Sequence, residues 1–406
     1  MAYSTSFSRY LGGILLVAGT TIGAGMLALP VSTAFMGFYP SLLIFAICWL
    51  FMLVSAFFFL DVNFSIPGNI NLISMAHKTL GLWGKITAWI FYLLLLYSLI
   101  AAYIAGSSPL FDALFYVVTN HHLPYWISPF VLPLVFGWCI YLGTFGVDWI
   151  NKILMLGLVI SYIVLMVFVP SHIEKSLLNH MDFSQSPIAL SVIITSFGYH
   201  IIIPSLTTYM HHDRKHLMFT LIIGSLFALI FYVVWQLVVL GVVPMEGKNG
   251  LINAWKYGVS SAEPLSKIIQ SPWIVRGANS FSFFAIITSF LGVALSLSDF
   301  LKDGLKLKNS WKSRLVACGL TFIPPIVFVF SSSRGFIIAL EYAGACVAIL
   351  LIFLPAMMAW HLKTPKFYRT IKAKVIIITL ITFAAMVIVV NIFQQMGYLQ
   401  PYFSKG

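Results

Sequence analysis

The stretch "LLVAGTTIGAGMLALP" (residues 15–30) lies inside an apolar run that is long enough to cross a membrane. Its helix-weakening residues are concentrated near the middle, with Gly23 and Gly25 on either side of an alanine and Pro30 five residues further on. Glycine adopts irregular backbone conformations easily and weakens a helix. The pattern therefore predicts a membrane helix that is interrupted at residues 23–25.

The composition of the whole chain indicates a membrane protein. Hydrophobic residues make up 60% of the 406 residues and charged residues 8%, and the mean hydropathy is +0.98. A spanning helix needs roughly 20 mostly apolar residues, and such stretches follow one another along the sequence. A transmembrane β-barrel would instead show alternating segments of about ten residues. The sequence thus predicts an all-α polytopic membrane protein.

Eleven membrane spans are predicted from the apolar runs. Their residues are 9–37, 39–62, 84–112, 127–143, 147–170, 187–210, 216–243, 273–301, 313–331, 334–361 and 374–397. With a cytoplasmic N-terminus, the cytoplasmic side receives 16 of the 23 Lys and Arg residues, as the positive-inside rule expects. The net charge of +12 is thereby explained without a nucleic-acid partner. Residues 71–85 are too polar to span and predict a short amphipathic helix on the inner surface.

No cofactor or metal site is predicted. The four cysteines (Cys48, Cys139, Cys318 and Cys346) stand singly in apolar segments and have no ligand spacing. In "HHDRKH" (211–216), two histidines four residues apart resemble a metal-binding pair. A basic cluster that faces anionic lipid is the alternative interpretation.

The interrupted first span has a counterpart five spans later. "GTTIGAGMLALP" (19–30) and "TSFGYHIIIP" (195–204) each contain a glycine near mid-membrane and a proline five or six residues after it. Because five spans separate them, the second enters the membrane from the opposite side. Paired interrupted helices in inverted repeats mark the substrate site of many secondary transporters. Both features also occur as simple packing devices in membrane helices.

An interrupted helix offers polar groups of both signs to a ligand. The N–H groups at the start of the resumed helix suit a carboxylate, and the carbonyl groups at the end of the first half suit an ammonium group or a cation. A zwitterionic amino acid is therefore the expected ligand. The candidate binding residues in the first span are Thr20, Thr21, Gly23, Ala24 and Gly25. Both threonine hydroxyls alternatively bond back to their own helix.

The first-span motif resembles that of the bacterial aromatic amino acid permeases, the hydroxy/aromatic branch of the amino acid–polyamine–cation superfamily. "YSLIAAYIAGSSPL" (97–110), "TSFGYHIIIPSL" (195–206), "FTLIIGSLFALIFYVVWQLVVLG" (219–241) and "ITSFLGVALSLSDFLKDGL" (287–305) resemble further spans of this family in order. These stretches are most similar to the tyrosine-specific permeases, and the tryptophan permeases come next. The sixth span departs from the family pattern at Tyr199 and Ile201, and both changes affect which aromatic ring fits.

The resemblance implies a leucine-transporter-like fold with eleven spans and a 5+5 inverted repeat. The first repeat would cover residues 1–170, the second would cover 171–361, and residues 362–406 would add an eleventh span. It also implies proton-coupled uptake in the cytoplasmic (inner) membrane of a bacterium.

Further candidate binding residues come from the third and sixth spans. A histidine at membrane depth is costly without a partner, so His200 is a candidate for substrate contact or proton coupling, or else for a structural hydrogen bond. Phe197 and Tyr199 flank Gly198 and are candidates for an aromatic wall. Tyr103 matches the family's "AYI" element and is the expected pocket residue of the third span, whereas Tyr97 is expected in the core.

Glu341 is the acidic residue that stands out, because it lies inside an apolar span. A carboxyl group at membrane depth is a candidate proton carrier, and a paired structural acid is the alternative. Three further acids lie near cytoplasmic helix ends: Asp61, Asp148 and Asp299. Each is a candidate either for an ion pair in a cytoplasmic gate or for a carboxylate that is simply exposed to water. Thr288 and Ser289 are candidates for a sodium site or for packing hydroxyls.

The function predicted from these features is proton-coupled import of an aromatic amino acid, tyrosine first, by alternating access. A tryptophan or broad aromatic permease is the nearest alternative. An intramembrane enzyme that uses His200 and a channel are the alternatives from other classes.

Overall fold

The structure is a computed structural model that describes residues 7–401 except 69–70, 143, 270, 308–309, 333, 363–367 and 369. No β-strand occurs among these residues. The α-helices are α1 (Phe7–Thr21), α2 (Gly25–Thr33), α3 (Phe38–Ser65), α4 (Leu72–Thr119), α5 (Ser128–Leu142), α6 (Thr144–Phe168), α7 (Ser186–Ser196), α8 (Ile203–Tyr209), α9 (Arg214–Leu240), α10 (Leu251–Tyr257), α11 (Ala262–Ile268), α12 (Pro272–Gly304), α13 (Trp311–Ser331), α14 (Gly335–Val347), α15 (Leu354–Trp360) and α16 (Ile371–Gln395).

The described part of the chain contains nine helical segments that are long and apolar enough to cross a membrane. The bent pair α1 and α2 counts as a tenth. The span predicted at 127–143 is the shorter apolar helix α5, with 15 residues. All eleven predicted segments are therefore helical, although length and composition alone support ten crossings.

Both predicted interruptions are present. Helix α1 ends at Thr21 and α2 begins at Gly25, and the two axes differ by 53°. Helix α7 ends at Ser196, a 3-10 turn covers His200–Ile202, and α8 begins at Ile203. Helix α2 packs against α7, so the two interruptions lie next to each other.

The segment between the second and third spans also matches its prediction in part. Gly81 has φ 70° and ψ −153°, which breaks α4 into residues 72–80 and a long membrane helix. This backbone conformation favours glycine, because a Cβ would be strained there. The short helix at 72–80 is capped at its N-terminus by Asn71, whose side chain accepts a hydrogen bond from Ser74 N at 2.9 Å.

Helices α10 and α11 lie in the loop after α9, where α10 packs against α2 and α11 packs against α12. The backbone N–H of Ser261 donates to the carbonyl oxygen of Leu27 in α2 at 2.9 Å. Trp255 of α10 packs edge-on against Phe35, and the Arg334 guanidinium lies 4.0 Å from the centre of the Trp255 ring. These contacts hold the loop against α2 and against Arg334, which precedes α14.

At the opposite face, three segments meet at Asp61. Its Oδ1 lies 2.7 Å from Arg214 Nη2, and its Oδ2 accepts a hydrogen bond from the Tyr368 hydroxyl at 2.7 Å. Burial and the nearby Asp61 carboxylate raise the pKa of Tyr368, so its hydroxyl stays protonated and donates. Asp61 thus forms an ion pair within the α3–α9 contact. Asp299 instead pairs with Lys302 of its own helix, and the side chain of Asp148 lies outside the described residues.

Asp61→Asn is expected to lower the stability of the folded protein by about 2 kcal/mol, since a hydrogen bond to a charged group contributes about 1.5–3 kcal/mol. Thermal unfolding in detergent measures the change. Asp299→Asn is the matched control, because the Asp299–Lys302 pair is exposed and contributes little. Equal melting temperatures for the two variants would mean that the Asp61 contacts do not hold α3 and α9 together.

Candidate functional site

A cavity of ≈ 460 Å³ lies at the two interruptions. Residues of α1, α2 and the α7–α8 connection line it on one side, and residues of α4, α6, α12 and α14 line it on the other. Its volume is within the range of about 300–1,000 Å³ that is usual for small-molecule sites.

The five candidates from the first span all line this cavity: Thr20, Thr21, Gly23, Ala24 and Gly25. The hydroxyls of the two threonines donate to the carbonyl oxygens of Leu16 and Val17, each at 2.7 Å. They therefore bond back to their own helix, which was the alternative interpretation. The backbone of the interruption, rather than these hydroxyls, is therefore the polar surface that a ligand would meet.

Both glycines allow close packing of serine hydroxyls at the interruption. A Cβ at Gly23 would lie 2.7 Å from Ser289 Oγ, and one at Gly25 would lie 2.9 Å from Ser196 Oγ. Ser289 also accepts a hydrogen bond from Ala24 N at 3.2 Å. The α12 hydroxyl therefore binds the interruption itself, whereas the Thr288 hydroxyl donates to Phe284 O of its own helix at 2.8 Å.

Tyr103 lines the cavity from α4 and is 6% exposed. Tyr97, six residues earlier, lies outside the lining and donates to Leu320 O of α13 at 2.9 Å. The structure thus separates the two tyrosines in the way that helical rotation predicts.

The sixth span contributes Gly198 to the cavity, together with Thr195, Ser196, Ile201 and Ile202. The side chains of Phe197, Tyr199 and His200 are fully buried behind this lining. Phe197 packs edge-on against Tyr232, and the His200 ring lies edge-on to Phe59 of α3. Helix α7 ends at Ser196 and α8 begins at Ile203, so the α-helical rotation does not assign faces to the residues between them.

Sequence reasoning missed three residues at the site. Asn151 of α6 lies in the cavity wall, and its Oδ1 has no hydrogen-bond partner among the described residues. Met155, one turn later, also lines the cavity. Tyr232 of α9 contacts both interruptions. A polar residue at membrane depth was a usable signal for Asn151.

A second cavity of ≈ 630 Å³ adjoins the first and shares Tyr92, Ile201 and Ser296 with it. Asn71 and Asp303 also line it, and they lie at the face where α3 ends and α9 begins. The cavity at the interruptions is therefore continuous with a vestibule at the face that the charge pattern predicts to be cytoplasmic.

Glu341 lies outside the cavity, in the second turn of α14, and is 2% exposed. Its Oε1 accepts a hydrogen bond from Gln394 Nε2 at 2.6 Å, and its Oε2 accepts one from Gln395 Nε2 at 3.0 Å. The amide of Asn391 donates to Glu341 O at 2.9 Å and to Ser191 Oγ of α7 at 3.2 Å. Glu341 thus connects α14, α16 and the helix that precedes the second interruption.

The histidine pair in 211–216 does not form a helical metal motif. His212 has φ 59° and precedes α9, whereas His216 lies on α9 and pairs with Asp213 at 2.6 Å. Among the described residues, no three His, Cys, Asp or Glu side chains are grouped so that they could hold a metal ion.

Known proteins of similar size resemble most of the chain. The "Tyrosine-specific transport system 1" of Haemophilus influenzae is 32% identical over 363 residues, which cover 87% of this chain and 88% of that protein. The "Tryptophan-specific transport protein" of Pseudomonas aeruginosa is 30% identical over 355 residues, which cover 86% of this chain and 85% of that protein.

Solved structures confirm the predicted leucine-transporter-like fold class. The crystal structure of MhsT in complex with L-phenylalanine has a TM-score of 0.61, with 15% sequence identity and coverage of 94% of this chain and 98% of that one. A crystal structure of a mutant manganese transporter from Eremococcus coleocola has a TM-score of 0.62 at 14% identity, with coverage of 97% of this chain and 88% of that one.

The relatives are named as transport proteins, so this multi-pass membrane protein is a transport protein rather than an enzyme. The model of the tryptophan/tyrosine permease family matches residues 7–392. With two interrupted helices around one cavity and this match over nearly all of its length, the chain belongs to the tryptophan/tyrosine permease family.

Proposed function

We propose that the protein imports an aromatic amino acid, tyrosine first, together with protons, by alternating access in a bacterial cytoplasmic membrane. The observation that carries the proposal is the cavity between the two helix interruptions, whose backbone groups can bind both charges of an amino acid. The vestibule beside it supports release at the predicted cytoplasmic face, and the loop that contains α10 and α11 contacts α2 at the opposite face.

The substrate's carboxylate would bind the N–H groups at the start of α2, around Ala24 and Gly25, in place of the Ser289 hydroxyl that accepts from Ala24 N at 3.2 Å. Its ammonium group would bind the carbonyl oxygens at the ends of α1 and α7. The ring would then extend towards Tyr103 and the 197–202 connection, where Gly198 lines the cavity without a side chain. Phe197, Tyr199 and His200 would shape this wall from behind.

Glu341 is the proposed proton carrier, and His200 is the second candidate. The Glu341 carboxyl group is two turns from the start of α14, and Gln395, one of its partners, is the last residue of α16. These ends lie at the predicted outer face, from which an imported proton enters. Asn391 donates both to the backbone carbonyl oxygen of Glu341 and to Ser191 Oγ, which connects the Glu341 backbone with the helix that precedes the second interruption.

Counterflow in proteoliposomes tests the proposed substrate. Vesicles that are loaded with unlabelled tyrosine, tryptophan, phenylalanine, leucine or glutamate receive labelled tyrosine outside. Tyrosine, tryptophan and phenylalanine are expected to drive accumulation of the label, and leucine and glutamate are not. Accumulation with leucine but not with any aromatic amino acid would overturn the proposal. An imposed pH gradient then separates a symporter, which concentrates its substrate, from a channel, which does not.

Ile201→Ala is expected to raise the uptake of tryptophan relative to tyrosine by about tenfold. The Ile201 side chain lines both cavities, so its truncation makes room for a larger ring, and a change of this size in an apolar pocket alters discrimination by roughly 10–200-fold. The ratio of kcat/KM values for the two amino acids measures the effect. Ile203→Ala is the control, since Ile203 is fully buried and lies outside the lining. An unchanged ratio in Ile201→Ala would remove Ile201 from the ring-binding wall.

A further inference from the structure

Tyr232 lies where the two interruptions meet. It is a fully buried residue of α9, and its ring packs edge-on against Phe197. Its hydroxyl oxygen is 2.6 Å from the carbonyl oxygen of Thr21 and 2.6 Å from that of Ser196. Thr21 is the last residue of α1 and Ser196 is the last residue of α7. One hydroxyl therefore contacts the C-terminal end of both half-helices.

These two carbonyl groups need a donor from outside their own helices. The last carbonyls of a helix have no intrahelical partner and carry partial negative charge. An unsatisfied carbonyl is costly at membrane depth. The described residues supply no backbone N–H to either oxygen, and Tyr232 is the donor that the structure provides.

The hydroxyl has one proton for two acceptors. Each carbonyl oxygen has two lone pairs, so both oxygens keep at least one that the hydroxyl does not use. An alkylammonium group, with its three N–H donors, supplies what is missing. The two half-helix ends therefore keep acceptors for a cationic group while Tyr232 is in place.

We propose that Tyr232 is a positioning residue that ties the two interrupted helices together, so that both C-terminal carbonyl groups meet the ammonium group of one substrate molecule. This inference rests on the proposed function, because it requires a substrate that carries an ammonium group, as an amino acid does. Tyr232 acts through the two backbone groups and through its place on α9, which packs along α1 and α3. When α9 moves, both interruptions move with it.

Tyr232→Phe tests this role, because it removes the shared hydroxyl and keeps the ring. Counterflow with the amino acid that the wild-type protein carries is expected to show KM raised at least tenfold, with the maximal rate per molecule within about threefold of wild type. Tyr97→Phe is the matched control, since Tyr97 also donates to one backbone carbonyl but lies away from the cavity. Its KM is expected to stay within about twofold. A lower maximal rate with unchanged KM in Tyr232→Phe would overturn the proposal.

A second replacement covers the case in which Tyr232→Phe does not reach the membrane. 4-Aminophenylalanine at position 232 keeps the ring and offers two N–H donors, one for each carbonyl group. Its KM is expected to stay within about threefold of the wild-type value. A tenfold increase would contradict the proposed tie, because both acceptors would then have had a donor.

Hydrogen–deuterium exchange separates this proposal from the proposed function. In substrate-free protein, Tyr232→Phe is expected to speed exchange at least tenfold in both residues 18–26 and 194–202, whereas Tyr97→Phe changes neither segment. Faster exchange in only one segment, or in none, would contradict the proposed role of Tyr232 in holding the two interruptions together, even if the protein transports tyrosine. If the wild-type protein carries no aromatic amino acid but both segments respond, the tie stands and the proposed substrate is wrong.

Discussion

Leucine at position 25 is expected to abolish uptake while the protein still inserts into the membrane. A Cβ at Gly25 already meets Ser196 Oγ at 2.9 Å and Ser196 Cα at 3.6 Å, so a leucine side chain separates α2 from α7. The same side chain fills the space beside the N–H groups proposed for the carboxylate. We expect initial uptake rates to fall more than about a hundredfold, which corresponds to about 2.8 kcal/mol. Labelled uptake, normalised to the amount of protein in the membrane, measures the effect.

Two further glycine variants make the test specific. Gly23→Leu is expected to behave like Gly25→Leu, because its Cβ meets the Ser289 hydroxyl that binds Ala24 N. Gly319→Leu in α13 is the control, since the nearest atom to its Cβ is Ile323 Cδ1 at 3.8 Å. Its uptake is expected to stay within about twofold of wild type. Normal transport by Gly25→Leu would remove the proposed carboxylate site.

The interrupted helices were predictable because their cause is local. Gly23 and Gly25 weaken the helix where they stand, and a proline follows each interruption, so the sequence alone indicates both breaks. The same holds for the helical segments, which follow from long apolar runs. The prediction is weaker for α5, because its 15 helical residues are fewer than those of the other predicted spans.

The orientations of side chains at the interruptions were not predictable from local pattern. Helical periodicity assigns faces within a helix, but His200 and Tyr199 lie between α7 and α8, so it does not show that their rings lie behind the cavity. Tyr232 was missed for another reason. Its partners Thr21 and Ser196 are 211 and 36 residues away in sequence, and only the packing of α9 brings them together.

Glu341→Gln is expected to remove the accumulation that a pH gradient drives while exchange of substrate continues. An amide cannot gain and lose a proton, but it keeps the size of the side chain and still accepts one hydrogen bond from Gln394 or Gln395. For a one-proton symporter, a gradient of two pH units supports accumulation of about a hundredfold, since each unit corresponds to about 1.4 kcal/mol. We expect this accumulation to disappear in Glu341→Gln and exchange rates to stay within about threefold of wild type. Proteoliposomes with an imposed gradient, and with none, measure the two quantities separately.

Glu263→Gln is the matched control for the loss of a carboxylate. Glu263 lies on α11 outside the spans and pairs with Lys267 at 2.6 Å, so its replacement leaves gradient-driven accumulation intact. A structural role for Glu341 predicts a different result, because loss of the Gln394 and Gln395 contacts would disturb α14 and lower accumulation and exchange together. If both fall equally, or neither changes, Glu341 does not carry the proton. His200→Gln then becomes the variant to compare, since the buried His200 ring is the second candidate for proton exchange.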